Sequence, residues 1–441
     1  MSFRSRLHSK TLDAHAQHLA IKKILSAALE AANPERAVNR VLNRSEGTLQ
    51  INGYFYQLEH ISNIYIIAVG KAAPAMASAA RTILKDSLSG GVVVSKYPTE
   101  HELGKLCLYT AGHPLPDERS LVAGERILEF LSQTTEDDLV IFLISGGGSA
   151  LITDPVEGVS LSDLKTLTSM LLGSGARIDE INIFRRALDR VKGGGLANAA
   201  YPAQIASLIL SDVVDSPLEA IASGPTVPNP TTQADALSVL EKYNLIEQAP
   251  ANIVAALQKK QGSEIKTKIS VKNAFVIGSN RISAEAAKEK AMLEGFQTHV
   301  LTSSLQGEAS QKGRELAALF RSVRQRPLCV IIGGETTVSL GDSSGYGGRN
   351  QEVALAAVET LGGLEDIMLI TLATDGDDGP TDAAGAVVTG ETLERANVLG
   401  LELSAHLLEH NAYPFFEALG DLLKPGPTGT NVNDLVFLFA F

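Results

Sequence analysis

A two-domain α/β architecture follows from three features of this sequence. These are its length, an alternation of short apolar runs with helix-period stretches, and glycine-rich breaks placed directly after the apolar runs. At 441 residues the chain exceeds what one hydrophobic core serves, since single cores stop growing near about 250–300 residues. Composition is 44% hydrophobic and 20% charged, so burial can offset chain entropy without covalent staples. The apolar runs at 64–69, 138–144, 205–210, 274–278, 328–332 and 366–373 each lead into a loop and, in most cases, a helix-like stretch. That alternation predicts parallel, doubly wound sheets.

Taken in chain order, residues 11–32 read as an amphipathic first helix; the preceding basic start, MSFRSRLHSK, is the alternative, a short presequence. The sparse segment 261–268 marks a domain boundary, giving an N-terminal domain 1–263 and a C-terminal domain 264–441. The proline-dense stretch 224–232 is a second candidate boundary that also suits a functional loop. The two cysteines, Cys107 and Cys329, lie in strand-like runs and read as buried free thiols, which suits a reducing, cytoplasmic setting. No apolar run reaches transmembrane length. The net charge of −12 disfavours nucleic-acid and membrane-surface partners, yet a few cations in one crevice still suit a small anion.

Open α/β sheets bind ligands beyond the carboxyl ends of their strands, so the loops after the runs carry the candidate chemistry. Lys71 follows the first run at a helix start, placed to hold a phosphate or carboxylate as a point charge. No GxxxxGK[ST] loop is present. The loop Ser145, Gly146, Gly147, Gly148, Ser149 lacks three consecutive Cβ atoms, so its backbone amides can converge on one anion; a tight turn under close backbone packing is the competing explanation. A second glycine run follows Lys192, and Arg185, Arg186 and Arg190 precede it, which reads as an anion site or a solvated helix face. Asp212 and Asp215, and Asp375, Asp377, Asp378 and Asp382, follow strands and are the acidic candidates for Mg²⁺. Arg349, after Gly345, Gly347 and Gly348, would project a planar fork from a helix start. Asn431, Asn433 and Asp434 add short polar groups just before the last apolar run.

The ordered strings GKAAPAM, GHPLPD, SGGGSAL, INIFRRALDRVKGGGLA, SDVVDSPLEAIASGPT, GGETTV, GYGGRNQE, TDGDDGPTDAAGA and GPTGTNVNDL run from about residue 64 to 435. Together they resemble the glycerate 2-kinase family, whose C-terminal part is called MOFRL, here about 328–435. The resemblance implies a Rossmann-like N-terminal domain, an α/β MOFRL domain and a cleft between them. It also implies ATP- and Mg²⁺-dependent phosphorylation of D-glycerate to 2-phosphoglycerate. Carried over, the family's motif residues fall on Lys71, Asp212, Arg349, Asp375, Asn433 and Asp434. The expected roles are catalysis for Lys71, Arg349 and Asp212, metal binding for Asp212 and Asp375, and nucleotide contact for Ser145–Ser149, Lys192 and Asn433. Several positions depart from the family pattern: Asp215 replaces a usual glycine, Ser216 a usual aspartate, and Asp189 a common serine before KGG. Partners implied are small molecules, glycerate and ATP, with a homo-oligomeric state allowed. The rival reading is an NAD(P)-dependent hydroxypyruvate reductase, against which stands the lack of a GxGxxG turn with a downstream acid.

Overall fold

The computed structural model describes residues 3–259, 271–321 and 323–441. The chain forms two compact units, one of Pro34–Ile277 and one joining Met1–Asn33 to Gly278–Phe441. The boundary expected at 263/264 lies outside the described residues. The N-terminal helices are a correction to that division: they belong with the C-terminal unit, not with the residues that follow them.

The unit Pro34–Ile277 is built on a six-stranded sheet ordered Leu106–Thr110, Leu88–Ser95, Asn63–Val69, Asp138–Ile144, Gln204–Leu210, Ala274–Gly278. Numbered along the chain this is 3-2-1-4-5-6, the Rossmann order. The pairings among the first five strands are all parallel. Asp138–Ile144 is buried over its whole length, as a strand covered on both faces must be, which is why its sequence is a continuous apolar run rather than an alternation. The chain leaves Asn63–Val69 toward one edge and returns beside it at Asp138–Ile144, so the switch point lies between these two strands. An antiparallel meander, Leu42–Ser45, Thr48–Ile51 and Tyr54–Gln57, precedes the sheet. Helices Leu161–Gly173, Ile178–Ala187, Gln233–Lys242 and Ala251–Gln258 form an apolar cluster of their own.

The second unit is also α/β, but its six-stranded sheet is mixed rather than parallel. Its order is Gln297–Leu305, Leu328–Gly334, Asp434–Ala440, Ile367–Ala373, Gly385–Thr389, Leu422–Leu423. Only the first pair is parallel; the last long strand runs antiparallel to both of its neighbours. The reason is the connections: Ile367–Ala373 is followed by a loop, not a helix, and without a crossover the next strand returns antiparallel. Helices Ala309–Arg321 and Arg349–Leu361 cover one face. On the other, His18–Ala32 sets Ile21, Ile24, Leu25 and Leu29 against Ala284, Ala287 and Ala291 of Asn280–Leu293. The helix expected over 11–32 is thus real but broken, with a short turn of helix at Lys10–Ala14 capped by Ser9. Cys329 is buried as expected, whereas Cys107 is exposed on an edge strand.

The N-terminal segment is anchored by a buried carboxylate. Asp421 accepts from the Thr11 amide at 2.9 Å and hydroxyl at 2.8 Å, and from Arg395 at 2.7 Å. Its side chain has no exposed surface. Asp421→Ala would strand a half-buried guanidinium, and a loss of about 3–5 kcal/mol is expected in urea unfolding.

Candidate active site

Four strand ends of the Rossmann-like sheet converge at the switch point. Gly70 has φ +131°, and a Cβ there would lie 2.1 Å from Ser145 Oγ. The two loops are therefore locked backbone to backbone. The Lys71 amide donates to Gly146 O at 2.9 Å, the Ser145 amide to Val69 O at 2.9 Å, and the Ala72 amide to Ser145 Oγ at 3.0 Å. Gly146 is pressed from the other side, where its Cβ would meet Asp212 Oδ2 at 1.9 Å. Gly147, at φ +84°, begins the short helix Gly148–Leu151 and passes Lys71 and the His113 ring. Lys71, the glycine loop and Asp212 are thus brought together at these strand ends. Lys71 is exposed, while Ser145, Gly146 and Gly148 are buried.

The electrostatics of this cluster suit proton and anion handling. Burial raises the Asp212 carboxyl, with the charge of Lys71 pulling the other way. His113 is held below the usual imidazole range by burial, then by Lys71 and Lys96. His113 was missed as a site residue, although the GHPLPD string contains it. Ser223 was missed too. Its hydroxyl lies 2.9 Å from Ser149 Oγ, and Ala222 and Ser223 both hold positive φ, 50° and 61°. Strain of that kind clusters at functional sites. Asp215 is exposed and takes φ 58°, which explains the glycine usual at that position and leaves it a turn residue.

Lys192 is a correction. Its ammonium points inward, paired with Asp189 and donating to Ile152 O at 3.2 Å. Asp189 in turn accepts from Thr153 Oγ1 at 2.6 Å and from the amides of Asp154 and Val191. The charge on Lys192 is therefore neutralised inside the unit instead of being offered to a nucleotide. The aspartate that departs from the family pattern is what neutralises it.

In the other unit a second polar cluster surrounds Arg349, the first residue of its helix. The guanidinium is not free. Its Nε lies 2.5 Å and a terminal nitrogen 3.3 Å from the two oxygens of Asp434, and Glu335 Oε1 is at 2.8 Å. Burial would lower its pKa, but Asp434 and Glu335 hold it well above the usual range. Asp378 accepts from the Asn350 and Gln351 amides at 3.2 and 2.9 Å. It therefore serves the helix start, its buried carboxyl pushed up to about 7 by burial and then by Asp434. Asp375 is raised to about 6, by burial and then by Asp434, and takes a hydrogen bond from Asn431 at 3.1 Å. Asn433 holds φ 65° and its backbone bonds Asn431 Oδ1 and Thr374, so these contacts serve the turn into the last strand. Among the described residues, no group of three or more His, Cys, Asp or Glu is arranged to hold a metal ion.

Comparison with known proteins decides the family. The model described as "Domain of unknown function (DUF4147)" matches residues 20–258, and the MOFRL family model matches 328–434. A glycerate 2-kinase of Pyrococcus horikoshii is 41% identical over 425 residues, covering 94% of this chain and 95% of that protein. The chain belongs to the MOFRL-domain glycerate kinase family. A crystal structure of glycerate kinase from Thermotoga maritima superposes with a TM-score of 0.84 at 39% identity, covering 95% of this chain and 98% of that one. A relative from Agrobacterium vitis with the provisional name hydroxypyruvate reductase is 38% identical, covering 94% of this chain and 92% of its own length.

The raised Asp375 has a consequence for stability. Because its folded value, about 6, exceeds the ordinary 3.8, its contribution is complete below about pH 4 and disappears as pH rises through 6. Asp375→Asn keeps the acceptor for the Asp377 amide but cannot ionise. Urea midpoints from pH 4 to 8 are expected to fall less steeply in this variant, by on the order of 1–2 kcal/mol between pH 4 and 7.

Proposed function

We propose that this chain transfers the γ-phosphoryl group of ATP to the 2-hydroxyl of D-glycerate, giving 2-phosphoglycerate and ADP. The full-length similarity to proteins named glycerate 2-kinase and glycerate kinase supports the reaction class. The observation that carries the reading within the fold is the switch-point cluster of Lys71, the glycine-bared loop and Asp212.

Phosphoryl transfer asks for positioning and charge neutralisation rather than covalent help from the protein. Lys71 and the loop Ser145–Ser149 are assigned to phosphate oxygens of ATP. Asp212, whose carboxyl is raised by burial and which lies against the glycine loop, is assigned to the acceptor's hydroxyl proton. As the glycerate oxygen bonds to the γ-phosphorus, the bond to the β–γ bridging oxygen breaks and ADP departs. Arg349 is assigned to the transferring phosphoryl, which requires its fork to exchange Asp434 and Glu335 for the anion.

Magnesium fits the donor chemistry. Asp375 is a hard oxygen ligand repelled by Asp434, and Mg²⁺ is held by one or two carboxylates together with phosphates and water. A preformed cage of three side chains is therefore not required. Bound there, the ion would neutralise charge on the phosphates. A cytoplasmic location fits the two free thiols, and among the described residues no helix is long and apolar enough to cross a membrane.

Phosphorus NMR of the product from D-glycerate, ATP and Mg²⁺ tests the reading. A 2-phosphate couples to one carbon-bound proton and splits into a doublet, whereas a 3-phosphate couples to two and gives a triplet. NAD(P)H formed from glycerate without ADP would favour the reductase instead. Lys71→Ala is expected to lower kcat/KM by about 10- to 150-fold, the worth of one charge-assisted contact. Arg349→Ala should lower kcat by about 10³–10⁵-fold if it acts as arginine fingers do, with circular dichroism confirming that the variant is folded.

A further inference from the structure

Most arginines and lysines around the switch point have partners. Lys192 has Asp189, Arg190 has Asp154, and Arg186 donates to Asn229, Thr231 and the Glu219 carbonyl. Arg185 differs. Among the described residues, the Asn182 side-chain oxygen, 3.2 Å away, is its guanidinium's only hydrogen-bond partner, and no carboxylate lies within ion-pair distance. The side chain is half-buried, and desolvation lowers its pKa with no acid pulling it back up. A guanidinium removed from water without a counter-ion is costly, and such a group is stabilised by any anion that reaches it.

A space for that anion exists. Arg185 lines a cavity of about 60 Å³ whose walls include Leu167, Leu171 and Phe184. The ionisable side chains on it are Lys165, Arg185, Lys192 and Asp189, a net positive set in a chain of charge −12. At roughly 10–15 Å³ of accessible space per water, it has room on the order of five waters, which suits a carboxylate on a short carbon chain. The cavity also reaches Ser149. A hydrogen-bond chain ties the two ends together: Ser149 Oγ lies 2.9 Å from Ser223 Oγ, which donates to Asn182 Oδ1 at 3.3 Å, the atom that also accepts from Arg185.

We infer that Arg185 binds the carboxylate of the phosphoryl acceptor in this cavity, with the Asn182–Ser223–Ser149 chain setting the guanidinium's position relative to the glycine loop. The inference rests on the kinase reading for the identity of the acceptor. The guanidinium offers two parallel N–H groups to the carboxylate oxygens, and the acceptor's hydroxyls face the serine end. Arg185 thereby discriminates glycerate from uncharged triols such as glycerol.

Arg185→Gln keeps a donor for Asn182 and removes the charge. The expected result is a rise of at least tenfold in KM for D-glycerate, with KM for ATP changing less than twofold and the wild-type preference for glycerate over glycerol collapsing. A larger rise in KM for ATP would assign the cavity to a nucleotide phosphate and overturn the inference, as would unchanged or equally changed constants. A crystal of the wild-type full chain soaked in D-glycerate gives an answer independent of the variant's folding. The carboxylate is expected on Arg185, and its appearance elsewhere, or an empty cavity in a crystal that shows glycerate at another place, would sink the idea. Failure of the kinase reading is separate: it would show as no ADP formation by the wild type, while glycerate bound at Arg185 would still uphold the carboxylate site.

Discussion

The contact between Gly70 and Ser145 governs the arrangement of the Rossmann-like unit. Two adjacent parallel strands end there, and their loops interlock with no room for a Cβ. The absence of that single carbon lets the Lys71 amide reach Gly146 O and the Ser145 hydroxyl accept from Ala72. Because both loops are fixed by backbone bonds, the groups they carry inherit fixed positions. Asp212 then closes over Gly146 from a third strand end, and His113 approaches Gly147 from a fourth. A site built from strand ends rather than from one long loop is rigid, as anion recognition by backbone amides requires.

Among the described residues, charge pairing divides the candidate cations into a closed pair, a partly exposed pair and one held by a neutral group. Lys192 with Asp189 is a closed pair, and its value is structural: it joins the KGGG turn to the segment at Thr153. Arg349 with Asp434 and Glu335 is a pair that is partly exposed, so an incoming anion can compete for it. Among the described residues, Arg185 has only an amide oxygen. Burial acts on the acids as well: it raises the Asp375 carboxyl, and the charge of Asp434 adds to that rise.

Much of this was legible in the residues. The glycine runs, Lys71 after the first strand, Asp212 after the fifth and Arg349 at a helix start all sit where the pattern placed them, because each obeys a local rule. Glycine is demanded by close approach, and ligand-bearing loops follow parallel strands. The pairings were not legible. Arg349 and Asp434 are 85 positions apart, and nothing local to either announces the other. Asp189 departs from the family pattern, and only the fold sets it against the lysine three residues on.

By itself, then, the sequence determined the alternating α/β class, the family, the strand-end placement of the chemistry and the loops that must be bare of side chains. Tertiary structure decided which partner each of these cations meets, that the last strand enters its sheet antiparallel, and that the first helix packs with the far end of the chain. The physical reason is range. Periodicity and steric demands act between near neighbours and leave their mark in a few adjacent residues, whereas strand order and charge neutralisation depend on which distant segments meet, and only the folded chain specifies that.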